Sequence, residues 1–579
     1  MIAAELLQPG LASASLSPPL RRRLNGALAI VLWCAAASAA QAQDALSPAG
    51  GAWLHAAISS GRSDLRWPDF TDYAGDVARL YALNGNALLW VKGLAPTPQA
   101  LQMIALLQAA DRKGLSPDDY DGGRWTARLA KLSPAVSRPR ESDAAEFDLA
   151  LTVCAMRYIS DLHNGKVNPN RLAFALDVQS KKYDLAEFIS EHIARVDDIA
   201  AALAQVEPSY PGYRRTLAAL QTYLELARKD DADRLPPPYP AAKNAVAPGD
   251  VYPGIPRLAR LLRLLGDLPA DFTLPPGQTR YEAPLVDAVK TFQRRHGRDP
   301  SGRIDRQTLA DLNVPLTRRI QQMNLTLERW RWLPVDCQTP LIVVNIPEFR
   351  LRAYGRDFTA ETTMKVVVGK SYAHKTPVFS SMMTYLIFQP YWDVPRSIVL
   401  TEQIPQLLKD PEYLTKENLE LTDRQQHVVN AGTVTDRDLD QLRAGNLLVR
   451  QRPGPDNALG RVKFVFANSH DVYLHDTPAK ALFANSRRDF SHGCIRLENA
   501  FDLATWVLRD NPGWTPTRIR AAIDASEPQR VDLAHPIPVA ILYATVIVPD
   551  DGSVGFYDDI YGHDSALQRA LAKGYPYPR

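Results

Sequence analysis

Four cysteines in 579 residues, with no CxxC pair among them, give no sequence support for a structural zinc site. An excess of one charge is also missing. Lys plus Arg number 67 against 64 Asp plus Glu, so the formal net charge of +3 leaves no polyanion footprint, and nucleic acid is not expected as a partner. Past the first forty residues no apolar run is long enough to span a bilayer. What remains is a globular composition, 46% hydrophobic and 23% charged. At this length a single core is excluded, and three or more domains are expected.

The N-terminus has the features of an export leader. Arg21, Arg22 and Arg23 make a basic start, Leu24 to Ala37 a short apolar run, and Ala40-Gln41-Ala42 an A-x-A-type cleavage site. Residues 1–42 are therefore read as a signal peptide, with an uncleaved anchor or a later start codon as alternatives. The mature chain is expected to begin near Gln43 and to work outside the cytoplasm. Cys34 falls inside the leader, where Trp33 is too bulky for a lipoprotein site. Three cysteines are left, an odd number, so at least one thiol is unpaired. Cys154, in the apolar helical stretch ALTVCAMRYI, reads as a core residue. Cys337 has no evident role, and a Cys154–Cys337 bridge has nothing in its favour. Cys494 is the thiol that needs a use.

Hydrophobic spacing divides the rest. Residues 43–250 read as helices followed by a Pro-rich linker at Pro236–Pro248; EFDLALTVCAMRYISDLHNG (146–165) is the strongest helical pattern. Residues 251–315 read as a three-helix module, with Leu258, Leu261, Leu262 and Leu265 on one helix and Leu285, Ala288, Val289 and Phe292 on the next. From Leu341 the period becomes two, in LIVVNI, MKVVVG, MMTYLIF and VKFVF, so 316–525 is a mostly β domain. A polar, helix-leaning insertion interrupts it at 401–455, and 526–579 forms a C-terminal segment with one more strand, IPVAILYATVIV. The fold class is multidomain α+β.

The chemistry lies in SHGCIRL (491–497) and YLHDTP (473–478), where His475 precedes Cys494 by nineteen positions. A thiolate, not a thiol, attacks carbonyl carbon, and a nearby imidazole can take the proton, leaving a thiolate–imidazolium pair held by its own attraction. His475 leaves a strand end, a rigid place for that imidazole, whereas His492 is too close along the chain to reach back as easily. Gly493 lets the backbone approach a substrate, and the amides around His492, Gly493 and Cys494 are placed to face an oxyanion. Arg496 reads equally as a fork for a substrate carboxylate or as a salt bridge bracing the loop. Ser491 reads as a turn bond or as a group orienting an imidazole. His470, His475, His492 and Cys494 together suggest a metal, but no acidic or CxxC partner completes ligand spacing, so none is expected.

SHGCIRL with an upstream His-Asp resembles the signature of the L,D-transpeptidases. PYWDVPRSI (390–398), RPGPDNALGRVKF (452–464), VYLHDTP and PVAILYATVIVPDDGSVGFYDDIYGHD are similar to the large multidomain periplasmic branch of that family, and AVKTFQRRHG with DPSGRIDRQTLADLN resembles a peptidoglycan-binding module. The resemblance implies a helical scaffold domain, a wall-binding module and a catalytic domain with a capping insertion. It implies that Cys494 is acylated by a tetrapeptide stem of peptidoglycan, expelling D-Ala, and that the acyl group passes to a neighbouring stem as a 3→3 cross-link. His475 is then base and acid, oriented through Asp476, and Trp392 walls the substrate groove. No cofactor is implied; stem peptides and wall synthases are the implied partners, and carbapenems the implied covalent inhibitors. Hydrolysis, attachment of a lipoprotein to the wall, and a wall-binding scaffold with an idle thiol are the competing readings.

Overall fold

Buried apolar side chains gather into four separate clusters, and these divide the molecule. The computed structural model describes residues 48–579 except 61–63, 137, 177–180, 182–183, 231–232, 239–243, 335–338, 373 and 578–579. The leader, Cys34 and Cys337 lie outside the described residues, and with Cys337 so does the Cys154–Cys337 bridge.

The first cluster is helical. Glu141–Asn164 runs through its middle and is buried along most of its length, polar Asp148, Thr152, Arg157 and Asp161 included. Thr71–Leu83, Pro98–Gln108 and Leu185–His192 pack around it. Polar groups inside carry partners, as burial demands: the Asp148 carboxylate accepts from the Trp90 N–H at 2.6 Å and the Tyr81 hydroxyl at 2.7 Å. Cys154 lies in the same helix, where burial pushes its thiol up to about 12, so it packs as a core residue.

Ile255–Leu264, Leu285–Arg295 and Arg306–Leu312 form the three-helix module around their own core. Asp305 caps the third helix by accepting the Thr308 N–H at 2.7 Å. The module is docked rather than tethered. Arg298 forks onto Asp558 at 2.9 Å through both terminal nitrogens, and the His296 ring stacks on Phe556.

The largest cluster fills a β-barrel. Its strands in chain order are β1 (Phe174–Ala175), β2 (Leu341–Asn345), β3 (Arg350–Tyr354), β4 (Ala360–Gly369), β5 (Val378–Phe388), β6 (Val462–Phe466), β7 (Leu474–His475), β8 (Asp489–Ser491), β9 (Ile495–Leu497) and β10 (Gln529–Leu542). Round the ring the order is β6-β7-β9-β4-β3-β2-β10-β5, and β5 pairs back onto β6. Closure removes exposed edges. β1 joins β5, and β8 joins β4, outside the ring.

Two features differ from the sequence reading. The segment at 526–579 does not stand apart: β10 is hydrogen-bonded to both β2 and β5, so the ring needs it to close. The insertion is mixed rather than helical. It holds helices Ile404–Lys409 and Asp436–Ala444, a π-helical turn Val399–Gln403, and a four-stranded antiparallel sheet over its own apolar core. That sheet recruits Trp392–Asp393, paired with Arg450–Gln451, so the insertion's body begins before residue 401. The strands there are two to four residues long, too short for a period-two pattern to stand out.

Candidate active site

Strand register assembles the site. β7 and β9 run parallel with Leu474 opposite Ile495 and His475 opposite Arg496, while β6 runs antiparallel to β7 with Lys463 opposite His475. Side chains alternate along a strand, and Leu474, Ile495 and Phe464 are buried in the barrel. His475, Arg496 and Lys463 therefore share the other face, joined one step back by Tyr473 and Cys494. Neighbouring strands lie about 4.8 Å apart. Two residues nineteen apart in sequence are thus carried to neighbouring strands, with Cys494 across from Tyr473 and His475 two positions further along.

His475 is buried, and its Nδ1 lies 2.5 Å from the Asp476 backbone carbonyl. A carbonyl only accepts, so Nδ1 carries the hydrogen and Nε2 is the basic nitrogen. Burial first, then the Arg496 charge, holds the imidazole's pKa down to about 3. The resting imidazole is therefore neutral. The Cys494 thiol is half-buried and donates to the Asp471 carbonyl at 3.6 Å. Burial raises its pKa; hydrogen bonds from Tyr473, through backbone and side chain, and the Lys463 charge work the other way.

The rest of the motif builds the turn. Ser491 is buried, donates to the Cys494 carbonyl at 2.5 Å and accepts the Gly493 N–H at 3.2 Å, so it braces the turn and orients no imidazole. That bond also engages one of the three amides expected to face an oxyanion. Gly493 has φ +120°, which only glycine adopts readily, although a Cβ there would meet open space. Its carbonyl accepts from the Thr376 hydroxyl at 2.7 Å. His492 points away from the thiol, as its position in the turn suggests. Its Nε2 meets the Glu402 carboxylate at 2.6 Å, and its ring lies 4.7 Å from that of His374. Glu402 belongs to the π-helical turn of the insertion, so the motif loop touches the insertion directly.

Other expected residues sort themselves by geometry. Among the described residues Arg496 has no ion-pair partner, and its buried Nε lacks an acceptor, which removes the loop-bracing salt bridge as its reading. The Asp476 carboxylate accepts from the Arg461 N–H at 3.0 Å and Lys480 at 2.7 Å; it is the Asp476 carbonyl that bonds to His475, while the carboxylate acts on the imidazole through its charge. Trp392 packs on the core of the insertion rather than on the thiol's face, while the charge of its neighbour Asp393 acts on Lys463. His470 packs on Phe379. Among the described residues no His, Cys, Asp and Glu group of metal-holding size occurs.

Sequence reasoning missed Tyr473, Lys463 and Asp393. The Lys463 ammonium sits 4.0 Å from the Tyr473 ring centroid, and the Tyr473 ring meets that of His475 edge-on at 5.7 Å. Tyr473 could have been found from its i, i−2 relation to His475. Lys463 and Asp393 could not, because their placement depends on register between distant strands.

Comparison with known families adds what the chain is similar to. Residues 339–519 match the family model of the L,D-transpeptidase catalytic domain. Residues 75–220 match a scaffold domain, and 253–312 a peptidoglycan binding domain. A Haemophilus influenzae protein named "Putative L,D-transpeptidase" is 31% identical over 270 residues, which cover 46% of this chain and 53% of that protein. The chain thus spans about half the length of that relative. A crystal structure of an L,D-transpeptidase (residues 123–326) from Xylanimonas cellulosilytica aligns over 52% of this chain and all of that one. Its identity is 12% and its TM-score 0.16, too slight a likeness to say anything of the fold.

Proposed function

We propose that this protein is a peptidoglycan L,D-transpeptidase that forms 3→3 cross-links through a thioester on Cys494. The observation that supports the reading is the β7–β9 register, which brings the strand ends that carry His475 and Cys494 next to each other, with both side chains on one face. Nε2 of His475 takes the thiol proton, and sulfur attacks the carbonyl of the third residue of a tetrapeptide stem. The C–N bond to D-Ala breaks, and the imidazolium returns its proton to the departing amine. The side-chain amine of a neighbouring stem then attacks the thioester, gives up its proton to His475, and frees the thiol. The Cys494 amide and the Tyr473 hydroxyl are the donors suited to the oxyanion. Arg496, a guanidinium without an ion-pair partner among the described residues, suits a stem carboxylate.

Transfer requires water to be kept from the thioester. Contact between Glu402 and His492 favours transfer over the alternative of L,D-carboxypeptidase hydrolysis, because it holds the insertion against the motif loop. The same thioester passed to a lysine would attach a lipoprotein to the wall. The domains are proposed as 43–250 for scaffold and linker, 251–315 for wall binding and 316–525 for catalysis, with 526–579 completing the barrel. Work on peptidoglycan places the protein in the periplasm, with wall synthases as partners, and no described helix is long and apolar enough to cross a membrane. Replacing Cys494 by Ala should abolish 3→3 muropeptides while wall binding persists. Unchanged 3→3 muropeptides in that strain would refute the assignment.

A further inference from the structure

The reacting face carries a cation for which the proton-transfer scheme has no use. Lys463 lies across from His475 on β6, with its ammonium over the Tyr473 ring, and Tyr473 in turn bonds to the Cys494 sulfur. The cation thus sits on β6, and ring and sulfur immediately before β7 and β9, the next two strands of the barrel. The titratable groups around Lys463 are Asp393 from the insertion's sheet, Asp471 from the loop before β7, Cys494, and His475 opposite it on β7, whose imidazole the Lys463 charge also lowers. Arg496, opposite His475 on β9, also feels the charge of Cys494. At rest the neutral imidazole offers the sulfur no positive charge, and the Arg496 and Lys463 charges both oppose a proton on that ring.

We propose that the Lys463 ammonium is the standing countercharge of the Cys494 thiolate, a positioning residue that acts through sulfur rather than on the stem peptide. It rests on Cys494 being the nucleophile. The proton still passes from Sγ to Nε2 of His475, and Lys463 gains and loses none. Its electrostatic pull makes the charged sulfur less costly, and the Tyr473 ring and hydroxyl fix where the ammonium and sulfur stand.

The test follows the thiol alone. In full-length protein, iodoacetamide alkylation of Cys494 is measured against pH by peptide mapping for wild type, Lys463→Met and Lys463→Arg. Loss of the charge should move the alkylation midpoint up by about one pH unit and slow the reaction near neutrality about tenfold. Lys463→Arg, which keeps the charge, should stay near wild type. Lys463→Gln serves as a second neutral variant should the Met protein fail to fold. A folded neutral variant with a wild-type profile overturns the proposal, even if transfer activity is lost, since Lys463 would then act on substrate. Failure of the transpeptidase reading would show separately, as wild-type protein that takes no acyl group at Cys494.

Discussion

Opposed pKa shifts at Cys494 and His475 define the chemistry at the residue scale. Burial raises the thiol and lowers the imidazole to about 3, so both are neutral at rest and the nucleophile is made only on demand. This arrangement has a stability consequence with a definite sign. An unfolded histidine titrates near 6.5, so on acidification the unfolded chain takes up a proton that the folded His475 refuses. The contribution is complete above about pH 6.5 and declines as pH falls toward 3. Melting curves between pH 7.5 and 4.5 should therefore fall less steeply for His475→Asn than for wild type. Parallel decline in the two proteins would mean that His475 is already charged in the fold. Cys494 and His475 were legible from sequence because the turn SHGC and the strand end at His475 are local features. Asp476 was legible only as a neighbour, since which of its oxygens faces the imidazole is set by Arg461 and Lys480.

Among the elements, the insertion touches the motif loop through Glu402. Glu402, in the π-helical turn Val399–Gln403, holds His492, and a π turn is a strained piece of helix common at functional sites. Glu402→Ala should speed amide hydrogen exchange across 399–409 and raise the ratio of hydrolysed to cross-linked product, with the melting temperature little changed. Unaltered exchange there would mean the insertion is held by its sheet alone. The helical elements were readable because each carries a long apolar face, as Leu285, Ala288, Val289 and Phe292 do on one helix. Strand pairing was not. Nothing in IPVAILYATVIV says that it lies between β2 and β5, and the two-residue strand Trp392–Asp393 has no pattern of its own.

On the scale of the whole molecule, the chain end ties catalytic and helical halves together. After the helix His563–Leu571, Tyr575 donates to Asp161, which also accepts from Tyr120 at 2.6 Å, and the Arg157 guanidinium lies 4.7 Å from the Tyr575 ring. Burial raises Asp161 to about 6, so its donors matter. Removing one with Tyr575→Phe should cost about 1–3 kcal/mol of stability, read from denaturant unfolding of the full chain. A change within experimental error would mean that Tyr575 only covers the site. Such a clasp was invisible in the sequence, where YPYP reads as a polar tail. With the module docked through Arg298 and the tail through Tyr575, the thiol is presented from one connected body. Its central claim is that this thiol, and no other, carries the wall peptide. Full-length protein incubated with a tetrapeptide-stem muropeptide, quenched in acid and mapped by peptide mass should show the stem acyl group on the peptide containing Cys494, with D-Ala released. An acyl group on Cys154 or Cys337, or D-Ala release that persists in Cys494→Ala, would contradict it.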